Sequence, residues 1–414
     1  FAGRGQISGD LRQLKIQHQL TAPVPAELRC TIDNPLTKLG WQAELSWPAI
    51  DLHALHGSWP ALTLAGTVRG SGTLNRMHTE GELHSGYQGM HADHRFAVDY
   101  DKGMVKIRRL TAALRESGAN LTLHGTLTDL AKAPQAALEG EWQNLRWPLQ
   151  GRALLLSKSG RFTLSGAVQH YQFHVAGDLA GERLPAGAWS ISGEGGPQQL
   201  TVTQADAHIL NGKLAANGTL AWQTAPQWRF AVQAEDIDPG AQWPDWPGRF
   251  ALTAQLSGAV MDGVPQLQID LTHLQGELKS VPLDADGALA IHGDQFQLAK
   301  LRIDSGGNRF TASGSLQDEW NMEWQVAAAD LARLLPGSGG RLQGSGYVTG
   351  PRKQPSLTAS LSGEQLRFAD NSIGQISLVM AVDTQGRVPS TVELEANDAT
   401  LGSLSLESLR LHGD

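Results

Sequence analysis

Apolar and polar residues alternate along most of this chain. Segments such as Leu121-Thr-Leu123 and Leu267-Gln-Ile269 place apolar side chains on one face and polar side chains on the other. A period of two is typical of β-strands with one buried and one solvated face. Turn sequences such as 195–197 (Gly-Gly-Pro) separate these segments, which favours hairpins and meanders. The pattern predicts an all-β chain.

A much longer repeat is superimposed on this alternation. The motif Leu/Phe-x-x-x-Gly-Thr/Ser-Leu recurs with its glycine at Gly125, Gly218 and Gly314, at spacings of 93 and 96 residues. A second glycine ends an apolar strand and recurs in phase, at spacings of 96, 92 and 92 residues, at Gly70, Gly166, Gly258 and Gly350. Such self-similarity predicts a repeated unit that holds several strands.

We therefore interpret residues 1–414 as one repeating β-groove segment with approximate units 1–70 (irregular), 71–166, 167–258, 259–350 and 351–414 (incomplete). The chain begins at Phe1 rather than at methionine and opens without the apolar core of a signal peptide. We expect it to be a section of a longer protein. One short helical turn is predicted from Asp330, as N-cap, to Pro336.

Composition narrows the possible functions. The chain is 41% hydrophobic and only 18% charged, so it can fold rather than stay disordered. Its net charge of −8 argues against a nucleic-acid partner. The single cysteine, Cys30, excludes an internal disulfide framework and a multi-cysteine metal site. The apolar runs are far shorter than the ~18 residues of a membrane-spanning helix.

The chain lacks the usual marks of catalysis. It has no Gly-x-Ser-x-Gly motif, and Gly212-Lys213 stands without the rest of a P-loop, so we predict neither a serine hydrolase nor a bound nucleotide. His170 and His174 would lie ~13 Å apart on a strand, too far to share an ion held by bonds of ~2 Å. We predict no catalytic residue, no metal and no cofactor.

Two pairs of carboxylates deserve comparison with glycosidase acids. Asp236 and Asp238, like Asp284 and Asp286, would share a strand face at ~7 Å, a separation that glycosidases use. Both pairs lie near turn sequences. We interpret them as solvated rather than catalytic.

A long sheet with one apolar face and no covering helices can curl so that this face lines a groove. Glycine tolerates the bends that such a curl needs. The alternative is that the repeated glycines turn the corners of a closed β-solenoid. A groove of this kind could hold acyl chains, because exposing the roughly 30 methylenes of a two-tailed lipid to water costs on the order of 20–25 kcal/mol.

The candidate residues that line this lipid groove are the apolar ones in phase with the alternation. For each of them, ordinary packing in a dry core is the alternative role. They are Leu62, Leu64, Val105, Ile107, Leu121, Leu123, Phe162, Leu164, Leu214, Phe230, Val232, Leu252, Leu256, Leu267, Ile269 and Phe310.

Several short sequence segments of the chain resemble the TamB family, within the AsmA-like, repeating β-groove superfamily. They are Leu145-Arg-Trp147-Pro148, Pro244-Asp-Trp246-Pro247, Asn211-Gly-Lys-Leu214 and the Gly-Thr-Leu motifs. The resemblance covers the whole chain, as an internal section of a much longer protein. Each phrase alone is weakly specific, whereas their order and the repeat are more so.

The resemblance implies a taco-shaped β-sheet with a hydrophobic groove, in the periplasm of a Gram-negative bacterium. It implies a non-enzymatic role in moving phospholipid between the inner and outer membranes, linked to outer-membrane biogenesis. It also implies assembly or secretion of outer-membrane proteins such as autotransporters with the barrel partner TamA. The family's N-terminal inner-membrane helix and its C-terminal partner-binding domain would lie outside this sequence.

Three functions therefore remain open. The first is a phospholipid conduit that works without catalysis. The second is a scaffold that holds client strands of outer-membrane proteins by β-augmentation. The third is a secreted β-solenoid adhesin or polysaccharide enzyme, although such solenoids have coils much shorter than this repeat.

Overall fold

A computed structural model describes residues 2–182, 184–333, 337–402 and 404–413. The chain forms two compact units, Phe1–Pro197 and Gln198–Asp414. Each is built almost entirely from β-strands, so the predicted all-β fold is confirmed. The predicted boundaries of the sequence repeats stay a prediction.

The described part of the first unit contains thirteen strands and one helical turn. They are β1 (Ala2–Gly9), β2 (Gln13–Ala22), β3 (Ala26–Asp33), β4 (Gly40–Asp51), α1 (Leu52–Leu55), β5 (Leu62–Gly72), β6 (Arg76–Tyr87), β7 (Met90–Asp101), β8 (Met104–Leu114), β9 (Asn120–Thr128), β10 (Gln135–Trp147), β11 (Leu155–Ala167), β12 (His170–Gly181) and β13 (Gly187–Gly195).

The described part of the second unit contains fourteen strands and two 3₁₀ turns. The strands are β14 (Gln199–Ile209), β15 (Gly212–Ala221), β16 (Gln227–Ile237), β17 (Gly248–Met261), β18 (Val264–Leu278), β19 (Val281–His292), β20 (Gln295–Ser305), β21 (Asn308–Leu316), β22 (Glu319–Ala328), β23 (Ser338–Pro351), β24 (Ser356–Phe368), β25 (Asn371–Asp383), β26 (Thr391–Leu401) and β27 (Leu404–Gly413). The turns are Pro239–Ala241 and Leu331–Arg333.

Within each unit the strands form an antiparallel meander, in which each strand pairs with its neighbours in sequence. In the first unit this holds from β1 to β13. In the second it holds from β14 to β27. In the described ranges no ladder joins the first strand of a unit to its last, so each sheet is open.

Hydrogen bonds between distant turns show that each sheet curls. In the first unit, Gln150 Nε2 donates to the carbonyl of Gln88 at 2.8 Å, although their turns are four strands apart. In the second unit, the Arg352 guanidinium binds the Asp294 carboxylate across the same number of strands. Four strands span ~19 Å in a flat sheet. The curl brings these turns within reach of one another.

The sequence repeat corresponds to six strands. Gly125, Gly218 and Gly314 lie in β9, β15 and β21, at matching positions of every sixth strand. A Cβ on any of the three would lie 2.0–2.1 Å from a carbonyl oxygen of the next strand. Gly125 and Gly314 also have φ values of +147° and +133°, which side chains disfavour. The motif therefore marks a close approach between backbones.

Long connections recur with the same six-strand period. Residues 52–61 join β4 to β5, residues 148–154 join β10 to β11, and residues 238–247 join β16 to β17. In a meander, every connection from an even to an odd strand lies at the same edge. The first two connections thus share one edge of the first sheet.

Short helical turns occupy some of these connections. The carboxylate of Asp51 accepts from His53 N before α1, and that of Asp330 accepts from Ala332 N at 3.1 Å before Leu331–Arg333. The predicted turn after Asp330 is therefore present as a 3₁₀ turn. Its predicted end at Pro336 lies outside the described residues.

Candidate functional site

One face of each sheet is apolar across all of its strands; we call it the apolar face and its opposite the polar face. Paired residues of neighbouring strands point to the same side. One row of pairs across the first unit is Gly5, His18, Leu28, Leu45, Val68, Gly81, Phe96, Leu110, Leu123, Gly140, Phe162, Val175 and Ile191. Only His18 interrupts its apolar character.

The corresponding row of the second unit contains no polar side chain. It consists of Ala207, Leu214, Ala234, Leu252, Leu274, Ala285, Ile303, Phe310, Val326, Gly344, Leu361, Leu378, Leu394 and Leu411. Each unit thus carries a continuous apolar strip that runs perpendicular to its strands.

The register brings all sixteen predicted lining residues onto the apolar faces. Those of the first unit are Leu62, Leu64, Val105, Ile107, Leu121, Leu123, Phe162 and Leu164. Those of the second unit are Leu214, Phe230, Val232, Leu252, Leu256, Leu267, Ile269 and Phe310. Their contact with lipid stays a prediction.

The apolar faces are only half-buried. None of the sixteen residues is fully buried, and Leu121 and Phe310 are each 37% exposed. Among the described residues, most of the buried hydrophobic side chains are alanines. The chain exposes 25904 Å², whereas a compact protein of 44.4 kDa exposes about 16,000 Å². In a sandwich a second sheet would cover such faces.

Aromatic rings lie down over neighbouring glycines on these faces. A Cβ on Gly160 would lie 2.0 Å from the Trp142 ring, and one on Gly258 would lie 2.2 Å from the Trp228 ring. Trp142 also donates its Nε1–H to Ser157 Oγ at 2.7 Å. Because each ring fills the space that the glycine leaves, large side chains fit without standing out from the face.

Ion pairs cover much of the polar face among the described residues. Arg302 lies between the carboxylates of Asp284 and Asp286, with N···O distances of 2.8 and 2.5 Å. These carboxylates, considered as possible glycosidase acids, are thus held by a guanidinium in the middle of β19. Asp93 binds Arg115 Nε at 2.8 Å and His84 at 2.5 Å, and these hydrogen bonds hold the pKa of Asp93 well below its usual range.

The other carboxylate pair is also structural. Asp238 accepts from Gly248 N at 3.1 Å and from Gly240 N at 2.9 Å, and these backbone donors lower the pKa of the Asp238 carboxyl. Asp236 lies 3.8 Å from Arg249. The Asp238 carboxylate therefore holds the connection that follows β16.

Cavities occur on the polar face. One of about 500 Å³ lies among glutamines and hydroxyls of β15–β20, beside Arg229. Another, of about 600 Å³, lies among paired charges of β5–β8, such as Arg95 and Glu82 at 3.1 Å. Across the described ranges, no three His, Cys, Asp or Glu side chains cluster as metal ligands. No helix within them is long and apolar enough to cross a membrane.

Part of the exposed apolar surface was not predicted from the sequence. Leu154, Leu155 and Leu156 are its unpredicted residues. The three consecutive leucines follow a turn and lie just before and at the start of β11, whose later residues alternate, and this is a signal that could have found them.

The fold and the apolar face define the class of protein: an open, curled β-sheet protein with a six-strand repeat. Residues 102–414 match the family described as TamB, N-terminal domain, and the chain belongs to this family. It is 22% identical over 256 residues to the Translocation and assembly module subunit TamB of Haemophilus influenzae. That alignment covers 61% of this chain and 20% of the relative, so the chain spans about a fifth of that protein's length.

Proposed function

We propose that this segment carries phospholipid along its apolar faces, without catalysis, between the inner and outer membranes of a Gram-negative cell envelope. The observation that carries the proposal is the continuous apolar strip of each unit, which stays half-exposed because no second layer of described residues covers it. A conduit needs such continuity, because each exposed methylene of an acyl chain costs about 0.8 kcal/mol. The family resemblance supports the periplasmic location.

Lipid that co-purifies with the chain tests this proposal. The chain would be produced in a bacterial periplasm, purified without detergent and analysed by mass spectrometry. We expect stoichiometric phospholipid. Leu123→Asp and Phe310→Arg place a charge on the apolar face, and we expect both to abolish lipid loading while circular dichroism stays that of a folded β-protein.

Matched controls carry the same charges on the polar face. Gln143→Asp lies in the strand next to Leu123, and Gln325→Arg lies in the strand next to Phe310. Both control side chains are exposed, so lipid loading should be unchanged. Lipid that stays bound in folded Leu123→Asp and Phe310→Arg would overturn the proposed binding sites.

The second candidate is a scaffold for outer-membrane proteins that acts with the barrel partner TamA. It is favoured by the name of the curated relative, a translocation and assembly module subunit. A folded chain without lipid that instead retains unfolded autotransporter strands would favour this function.

A further inference from the structure

Five large apolar side chains are exposed where β10 leads into β11. Leu145, Trp147, Leu154, Leu155 and Leu156 are between 37% and 63% exposed. Trp147 pairs with Leu155 across the two strands, and Leu154 N donates to the Trp147 carbonyl at 2.8 Å. We call residues 145–158 the β10–β11 edge.

The charge of this edge is opposite to that of the chain. It contains Arg146, Arg152 and Lys158 and no acidic residue, whereas the chain carries a net charge of −8. Arg152 reaches Glu182 at 2.9 Å, yet its side chain is 79% exposed. Lys158 is exposed and forms no salt bridge within the described ranges, although its backbone N–H donates to the Asp178 carboxylate at 2.9 Å. The edge is therefore apolar and cationic together.

The matching connection six strands later has the apolar part without the cations. Residues 238–247 expose Trp243 and Trp246, each at 52%, but contain Asp238 and Asp245 and neither lysine nor arginine. Exposed tryptophan is thus common to both connections, and Lys279, from the turn between β18 and β19, places its Nζ 4.4 Å from the centroid of the Trp246 ring. The two connections differ in the charges of their own residues: two aspartates here, and two arginines and one lysine in the β10–β11 edge.

We propose that the β10–β11 edge docks on the surface of an anionic phospholipid bilayer. Tryptophan partitions to the membrane interface, leucine to the hydrocarbon, and lysine and arginine to the anionic headgroups. This composition matches a lipid surface better than a protein surface, which would bury the cations against specific carboxylates. Charge complementarity and the exposed leucines carry the proposal, which does not depend on lipid transport along the apolar face.

The edge is also continuous with the apolar face. Leu155 pairs with Gly181, which lies on the same side as Gly177 and its partner Trp189. Leu145 and Trp147 share that side through their pairing with β11. Docking would therefore bring the hydrocarbon of a bilayer against one end of the apolar rows.

Sedimentation with vesicles tests the proposal on the complete chain. The vesicles are phosphatidylcholine alone, or phosphatidylcholine and phosphatidylglycerol at a two-to-one ratio. We expect binding to the mixed vesicles that weakens as salt rises. The double variant Arg152→Gln/Lys158→Gln should bind them roughly 25-fold more weakly, at about 5-fold per cation removed.

A second variant tests the apolar contact. Trp147→Ser/Leu154→Ser should weaken binding by about 10-fold or more per side chain removed from the bilayer. Its control, Trp243→Ser/Trp246→Ser, removes two tryptophans from the acidic connection and should bind as the parent does. Arg146 is left intact because its guanidinium donates to the Gly151 carbonyl and holds the turn.

The outcomes separate this proposal from lipid transport. Docking would be overturned if the parent chain did not bind the mixed vesicles. It would also be overturned if the cation variant and the tryptophan variant bound them as tightly as the parent does. A control variant that loses as much as Trp147→Ser/Leu154→Ser would also overturn it. Co-purified lipid is measured in the same samples: Arg152→Gln/Lys158→Gln should retain it, and Leu123→Asp should lose it while it still binds vesicles.

Discussion

The two faces of the same strands are stabilised by different interactions. On the apolar face, the fit between side chains and backbone decides the structure: glycines admit a neighbouring carbonyl or an aromatic ring at distances that no Cβ allows. On the polar face, exposed ion pairs such as Arg69–Glu44 at 2.8 Å join neighbouring strands. Exposed pairs contribute little individually. The comparison teaches that stability resides on the face that also forms the candidate site.

The largest effect should come from filling a close approach on the apolar face. In Gly314→Val, the new Cβ would lie 2.0 Å from the Asn321 carbonyl oxygen, at a φ of +133°. We expect a loss of about 2–5 kcal/mol in the free energy of unfolding. Urea denaturation followed by circular dichroism measures it. Gly57→Val, where no atom lies within 4 Å, is the control; equal midpoints for the two variants would contradict the close approach.

A smaller effect is expected from removing one aromatic ring. Trp142→Ala uncovers Gly160 and leaves the buried Ser157 hydroxyl without its donor, so we expect a loss of about 2–3 kcal/mol, less than for a fully buried tryptophan. Trp142→Phe should recover the packing but not the hydrogen bond. The control is Gln143→Ala, at the exposed residue next to Trp142, and it should leave the urea midpoint unchanged. If it lowered the midpoint as much as Trp142→Ala does, the two faces would not differ in their contribution to stability.

The smallest effect should come from the polar face. Arg115→Gln breaks the pair with Asp93 and should cost at most about 1 kcal/mol. Because Arg115 holds the pKa of folded Asp93 below its unfolded value of ~3.9, the pair stabilises the fold above that value. Its contribution is lost as the pH falls through the folded pKa.

The measurement is the difference in urea midpoint between parent and Arg115→Gln. It should shrink as the pH falls from 5 towards 3, and it should shrink in high salt. Arg109→Gln is the control, since within the described ranges Arg109 forms no ion pair. A difference that grows towards low pH would contradict the assigned pairing.

Alternation predicted the strands and the face of each lining residue, because a period of two needs only local sequence. It fails where the backbone departs from regular pleating. Leu145 lies three residues after Trp142, so strict alternation places them on opposite faces. Asn144 between them has a φ of +52°, and the pairing of Leu145 with Ser157 returns it to the apolar side. A single left-handed residue is invisible to a pattern of apolar and polar letters.

The repeat was also visible in the sequence, but the number of strands in one repeat was not. The spacing of Gly125, Gly218 and Gly314 predicted a unit without predicting how many strands it holds. That number depends on where turns fall, and several turns here, such as Lys279-Ser280, lack glycine or proline. The contact of Trp142 with Gly160 is equally hidden, because cross-strand partners depend on register.

The six-strand period has a consequence for how such chains change length. Six is even, so duplicating one unit returns the chain to the edge from which it left, and the long connections stay together on that edge. An odd number of added strands would move every later connection to the opposite edge. Each added unit of six strands widens a sheet by ~29 Å and leaves the apolar and polar faces on their original sides. A sheet that grows by whole units thus keeps its long connections on one edge and its apolar side chains on one face, whatever its final width.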